Sequence, residues 1–302
     1  MSTGEITEVV AGYDGSPEGI RVLDWAAAEA EVRGIPLAVV HVWQPYIGSP
    51  VAMPMLDLGA VAQQTLDGGV AHVRKKHPDV RVRGVLECGQ AAARLVEAGG
   101  SAGLVVLGPR GAGGFAGLVL GSVSTQVVTH APCPVVIARS APDRAAEAPP
   151  GTEPGRVVAG VDGSPASLAA LDMAFTEAAL HGLSVHVVIA WEPAPPRDLP
   201  PLADEDVMRD AAEMQLDRMM GPLRDRHPGV AARVDVRSGP PRRVLLDASD
   251  DARLLVVGSR GLGGFRGLLL GSVSHAVVQH APCPVAVVPA PDQDGGEQHG
   301  SA

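Results

Sequence analysis

The chain has 302 residues, 46% of them apolar, 19% charged and 3% aromatic, with a formal net charge of −10. That length holds two ordinary domains, each burying its own core, and the lack of aromatics leaves the core to Val, Leu, Ala and Ile. An acidic balance argues against a nucleic-acid partner, which needs a basic face, and no apolar run approaches the ~18 residues of a membrane span.

Val9 to Gly12 reads as a short buried strand that ends in Asp14-Gly15-Ser16-Pro17, a turn that also caps a helix. Glu18 to Arg33 is that helix, with Ile20, Leu23, Ala27 and Ala30 at helical spacing. Leu37 to Trp43 is a continuous apolar strand, and Gln44 to Gly59 a Pro/Gly-rich loop. A second helix spans Val61 to Lys76 and stops at His77-Pro78. Strand Val80 to Glu87, helix Ala91 to Ala98, strand Leu104 to Leu107, a glycine-rich loop, helix Ser122 to His130 and strand Pro134 to Ala138 complete the half.

The order then repeats. Glu8 to Pro17 recurs as Arg156 to Pro165, and Leu107 to Ile137 aligns without gaps on Val257 to Val287 with 21 of 31 positions identical. A period this long is a domain duplication, not a solenoid unit. The expected division is a first domain over 1–140, a Pro/Ala/Glu/Gly-rich linker over 141–155, a second domain over 156–290 and a disordered tail over 291–302. In the second half the Pro-rich loop is Glu192 to Ala203, and the helix after it stops at His227-Pro228. Alternating strands and helices predict an α/β fold, a parallel sheet covered on both faces in each half. Ligands of such sheets bind beyond the strand C-termini, where strand order reverses.

The stretch that carries chemistry is the duplicated glycine loop. In the first half it contains Gly108, Pro109, Arg110, Gly111, Ala112, Gly113 and Gly114, and reaches Gly121-Ser122-Val123. In the second it contains Gly258, Ser259, Arg260, Gly261, Leu262, Gly263 and Gly264, and reaches Gly271-Ser272-Val273. A buried strand thus feeds Gly-x-x-Gly, nine residues, and Gly-Ser at a helix N-terminus. Backbone N–H groups and the positive helix end make such a place a cradle for nucleotide phosphates. Gly12 with Asp14, and Gly160 with Asp162, close the first strand of each half; if the first and fourth strands are neighbours flanking the switch point, each aspartate faces one crevice with the glycine loop of its own half.

Other signals are weaker or structural. No Gly-x-x-x-x-Gly-Lys-Ser/Thr occurs, and the only lysines are Lys75 and Lys76, so a Walker-type loop is absent. The Gly111-x-Gly113-x-x-Ala116 run follows the fourth strand and fails in the second copy at Arg266, so it is no dinucleotide fingerprint. Ser122 and Ser272 suit N-cap positions, while His130 and His280 complement helix C-termini. Cys133 and Cys283 are read as small core residues, Cys88 likewise. With an odd cysteine count and no N-terminal leader pattern, a reducing, cytoplasmic setting is expected. Asp204-Glu205-Asp206 starts a helix, where acids suit the dipole, and no metal site is expected.

At these residues the sequence resembles the tandem, two-domain form of the universal stress protein family. Both loops meet its Gly-2x-Gly-9x-Gly-Ser/Thr motif, and Val-Asp-Gly-Ser (Tyr-Asp-Gly-Ser in the first copy) and His-Ala-Pro-Cys-Pro-Val accompany each loop in order. The resemblance implies Rossmann-like domains, each a five-stranded parallel sheet of order 3-2-1-4-5. It implies ATP as ligand, with Mg²⁺ able to accompany the phosphates, and places Val42 and Ala190 in the adenine pocket. It also implies pairing of the two halves through their fifth strands as an intramolecular pseudo-dimer, with a homodimer as a further association. Some tandem relatives carry an arginine within the spacer where this chain has Gly117 and Gly267. Pro109, unlike Ser259, offers no N–H, so one donor fewer is expected in the first cradle. The expected role is an ATP-binding regulator of a stress response, not an enzyme. A slow ATPase or nucleotidyl transferase, and an interaction module with vestigial sites, are the alternatives.

Overall fold

The computed structural model describes residues 6–45, 57–111, 119–139, 155–191, 205–263 and 269–291. The linker up to 154, the tail beyond 291 and most of both Pro-rich loops lie outside these residues. The first half runs β1 (Glu8–Gly12), α1 (Pro17–Arg33), β2 (Leu37–Trp43), α2 (Leu58–Lys76), β3 (Val82–Cys88), α3 (Ala91–Ala102), β4 (Gly103–Leu107), α4 (Ser122–His130) and β5 (Val135–Ile137). The second runs β6 (Arg156–Gly160), α5 (Pro165–His181), β7 (Val185–Trp191), α6 (Glu205–Arg226), β8 (Ala232–Ser238), α7 (Pro241–Ala248), β9 (Ala252–Gly258), α8 (Ser272–His280) and β10 (Val285–Val288).

The local chemistry explains the main boundaries. Ser16 and Ser164 are the N-caps of α1 and α5, accepting from Gly19 N–H at 3.0 Å and Ser167 N–H at 3.2 Å, and proline fills the first turn of each helix. Both helices stop at a left-handed glycine, Gly34 (φ 67°) and Gly182 (φ 64°). Two expectations need correction. Helix α2 starts at Leu58, three residues early, because Asp57 caps it through Ala60 N–H at 3.0 Å. Helix α3 runs through Gly99-Gly100 to Ala102: a Cβ at Gly99 would lie 2.7 Å from Val105 and 3.0 Å from Cys133, so that glycine serves close packing on β4, not a helix stop.

The strands form one sheet of ten, ordered β3-β2-β1-β4-β5-β10-β9-β6-β7-β8. Each half is parallel with order 3-2-1-4-5. The halves join through β5 and β10, which run antiparallel with Ala286 opposite Val136 and Val285 opposite Ile137. Val136 and Ala286 are equivalent positions of the repeat, so a pseudo-twofold axis passes between them. Alternate strand residues feed two cores: Val9, Ala11, Leu37 and Val39 pack under α1, α2, α5 and α6, whereas Val10, Ala38, Val40 and Val105 pack under α3, α4, α7 and α8. Both cores cross the seam. Among the described residues no helix is long and apolar enough to cross a membrane.

Candidate functional site

In each half β1 and β4, or β6 and β9, are neighbours that send their connections to opposite faces. Strand order reverses there, and a crevice opens at their C-terminal ends. The first crevice is a cavity of about 510 Å³ and the second of about 500 Å³, within the roughly 300–1,000 Å³ range of small-ligand sites.

The structure gathers most of the sequence-predicted residues at these cavities. Gly12, Asp14, Val42, Gly108, Arg110, Gly111, Gly121, Ser122 and Val123 line the first. Gly160, Asp162, Ala190, Gly258, Arg260, Gly261, Gly263, Gly271, Ser272 and Val273 line the second. Pro109, Ser259 and Leu262 stand off the walls, and Ala112, Gly113, Gly114 and Gly264 fall outside the described residues.

The carboxylate of each crevice is tied into the loops around it. In the first half Ser16 donates both its N–H (3.0 Å) and its hydroxyl (2.6 Å) to Asp14 Oδ1. In the second, Ser164 N–H donates to Asp162 Oδ1 at 3.0 Å and Leu262 N–H to Asp162 Oδ2 at 2.9 Å. Burial alone would raise the Asp162 carboxyl, but the bonds from Ser164 and Leu262 outweigh it and hold the group below its usual range. Burial and the neighbouring Asp14 charge push the Tyr13 phenol up.

Glycine at the loop positions is a spatial requirement. A Cβ at Gly111 would sit 2.9 Å from Asp14 Oδ2, and one at Gly261 would overlap Asp162 Oδ2. The loop returns to its helix through Gly121 N–H to Pro109 O at 2.7 Å and Gly271 N–H to Ser259 O at 2.8 Å. Two expectations change here. Gly121 and Gly271 are the N-caps, with no side-chain cap bond, and Ser122 and Ser272 are the first helical residues. Their N–H groups, with those of Val123 and Val273, are therefore first-turn donors without an intrahelical acceptor. The donor expected to distinguish Ser259 from Pro109 is committed elsewhere: Ser259 N–H donates to Val288 O at 2.7 Å, so the two cradles do not differ by it.

Several wall residues went unread in the sequence. Val40 and Val188, Leu95 and Leu245 give each cavity an apolar side. Ser124 and Ser274 donate to Gly108 O (2.7 Å) and Gly258 O (2.6 Å), pinning each helix start to the end of its strand. The identical Gly-Ser-Val-Ser in both copies was the signal for that pair; the apolar residues carry none beyond strand and helix periodicity. Each cavity has a polar rim of backbone donors, one carboxylate and one arginine, backed by an apolar wall, a combination suited to a small ligand with an anionic end and an apolar face. Cys133 and Cys283 are buried with their thiols pushed up by that burial, to about 12 and about 11, and act as packing residues.

A family model described as the universal stress protein family matches residues 5–139 and again 154–289. A universal stress protein of Mycobacterium tuberculosis is 37% identical over 289 residues, covering 92% of this chain and 96% of that protein. A second from the same organism is 34% identical over 306 residues, covering 94% and 95%. Among solved structures, a universal stress protein from Archaeoglobus fulgidus superposes with a TM-score of 0.70 at 20% identity, covering 95% of this chain and all of that one.

Proposed function

The chain belongs to the universal stress protein family, and on that premise we propose that it binds ATP at both crevices and acts as a nucleotide-responsive regulator in stress physiology. The observation that carries the reading is the duplicated crevice, in which a carboxylate, an arginine and a helix start surround a glycine-shaped space. Ser122, Val123 and Arg110, or Ser272, Val273 and Arg260, would hold the phosphates. Asp14 or Asp162 would meet the ribose, and the base would rest on Val40, Val42 and Leu95 in the first half and on Val188, Ala190 and Leu245 in the second. Mg²⁺, when present, would neutralise phosphate charge.

The reading includes little or no turnover. Phosphoryl transfer needs a positioned nucleophile and concentrated charge at the transferred group. Among the described residues the only carboxylate lining each crevice is Asp14 or Asp162, already engaged by its own loop, and no histidine lines either. Calorimetry tests the proposal: two ATP per chain are expected, with GTP weaker, and ATP at ~100 times its dissociation constant should stabilise by ~2.7 kcal/mol. No bound nucleotide would overturn it. Phosphate release at the ~1–10³ per second typical of enzymes, lost in Ser122→Ala and Ser272→Ala, would overturn the non-catalytic part alone.

A further inference from the structure

The offset that superposes Asp14 on Asp162 also superposes Glu29 on Glu177 and Arg33 on His181. The pseudo-twofold axis brings α1 and α5 together, so these equivalent residues meet across the seam. Both carboxylates are almost fully buried, at 1% and 2% side-chain exposure, and Arg33 and His181 nearly so, at 9% and 11%. Arg33 Nε donates to Glu29 Oε1 at 2.7 Å, and its terminal nitrogen donates to Glu177 Oε1 in the other half. His181 Nε2 lies 3.0 Å from Glu29 Oε2 and 3.8 Å from Glu177 Oε2. One terminal nitrogen of Arg253, on β9, lies 3.2 Å from His181 Nδ1 and 3.4 Å from Nε2.

Among the described residues these five groups are the charged or titratable ones that face one another here: two from α1, two from α5, one from β9. Two buried carboxylates share one buried guanidinium. Ionising both without a further counter-charge is costly in a dry seam. Burial and then the Glu29 charge push the Glu177 carboxyl up to about 8. Burial would raise Glu29 as well, but His181 and Arg33 outweigh it and hold that carboxyl below its ordinary range. The set Glu29, Glu177 and His181 has the donor atoms of a metal site. Two guanidinium groups already lie against those donors, so the counter-charge the geometry accommodates is a proton.

We propose that this cluster is a protonation-gated seam: one proton held by the Glu29–Glu177 pair keeps α1 and α5 closed on each other, and its loss loosens the contact between the halves. Nothing in it depends on what the crevices bind. Because the folded-state affinity of Glu177 for its proton is raised, its stabilisation is complete below the ordinary value of 4.5 and is lost as pH rises through about 8.

The test is amide hydrogen exchange of the full chain from pH ~5 to pH ~9, corrected for intrinsic rates, read at α1 and α5, with thermal melts alongside. Linkage to one proton makes the seam's opening constant rise by up to about tenfold per pH unit below that upper value. Glu177→Gln, an isostere of the protonated acid, should abolish the pH dependence and melt above the wild type on the alkaline side. Glu29→Gln removes the opposing charge and should move the wild-type transition to lower pH; it also serves if the first variant misfolds. Seam protection independent of pH in the wild type, or falling in parallel in wild type and both variants, would overturn the proposal.

Discussion

Adding a single methyl group at Gly261 is the sharpest probe of the second crevice. The Cβ of Gly261→Ala would overlap Asp162 Oδ2, the same oxygen that accepts Leu262 N–H at 2.9 Å. Relief requires Asp162 to turn away or the loop to retreat, and either gives up a hydrogen bond to a charged group, about 1.5–3 kcal/mol. Carried through to ligand affinity, that is about a 10- to 100-fold weaker site, since each 1.4 kcal/mol is tenfold. At Gly111 the same Cβ sits at 2.9 Å from Asp14 Oδ2, a lesser conflict, so Gly111→Ala should weaken the first site less. The valine at either position should abolish binding in its own half, because a β-branched side chain also restricts the backbone. Calorimetry on the full chain reads both sites, with far-UV circular dichroism to show that the fold survives. If both alanine variants bind as the wild type does, the crevices are not the sites and the reasoning fails.

Arg139, beyond β5, donates to the carbonyls of Val278, Gln279 and Ala281 at the C-terminus of α8, across the seam. Arg139→Ala should cost about 2–3 kcal/mol by leaving buried carbonyls unmet, measured by denaturant unfolding; a change below ~0.5 kcal/mol would mean water replaces the guanidinium. Gly68, in α2, has nothing within 4 Å of its Cβ direction, so Gly68→Ala should stabilise by roughly 0.5–1 kcal/mol in the same assay. Loss of stability there would show that α2 tolerates no side chain at that face. The depressed Asp162 carboxyl contributes stability that is present above its ordinary value of 3.8 and lost as pH falls through its lower folded value. Asp162→Asn should therefore flatten the acid limb of the melting curve, and an unchanged limb would assign that limb to other carboxylates.

The sequence by itself determined the repeat and most of what is local, the start of α2 at Leu58 and the N-caps at Gly121 and Gly271 being local exceptions. Apolar runs without alternation, such as Val9 to Gly12 and Leu104 to Leu107, meant strands buried on both faces. Ser16-Pro17 and Gly34 set the ends of α1 because capping and left-handed backbone are properties of a few adjacent residues. The glycine loops were legible for the same reason, and their duplication marked them as more than turns. Exceptions came where contacts beyond the neighbouring residues decide: α3 passes through Gly99-Gly100 because Val105 and Cys133 press on it. Ser259 N–H is spent on Val288 because β10 lies beside β9.

Only the tertiary structure decided which residues meet across the two halves. Register between β5 and β10 places Val136 against Ala286, and that one pairing fixes the axis that brings Glu29 to Glu177 and Arg139 to the end of α8. Periodicity could not announce Glu29 as buried, since a charged residue on a helix reads as solvated until its partners are in place. Arg33 lies one turn away, but His181 and Glu177 lie over a hundred residues away, on a helix of the other repeat. Propensity and spacing act over one or two turns of chain, whereas the cost of burying a charge is settled by whatever the whole sheet brings beside it.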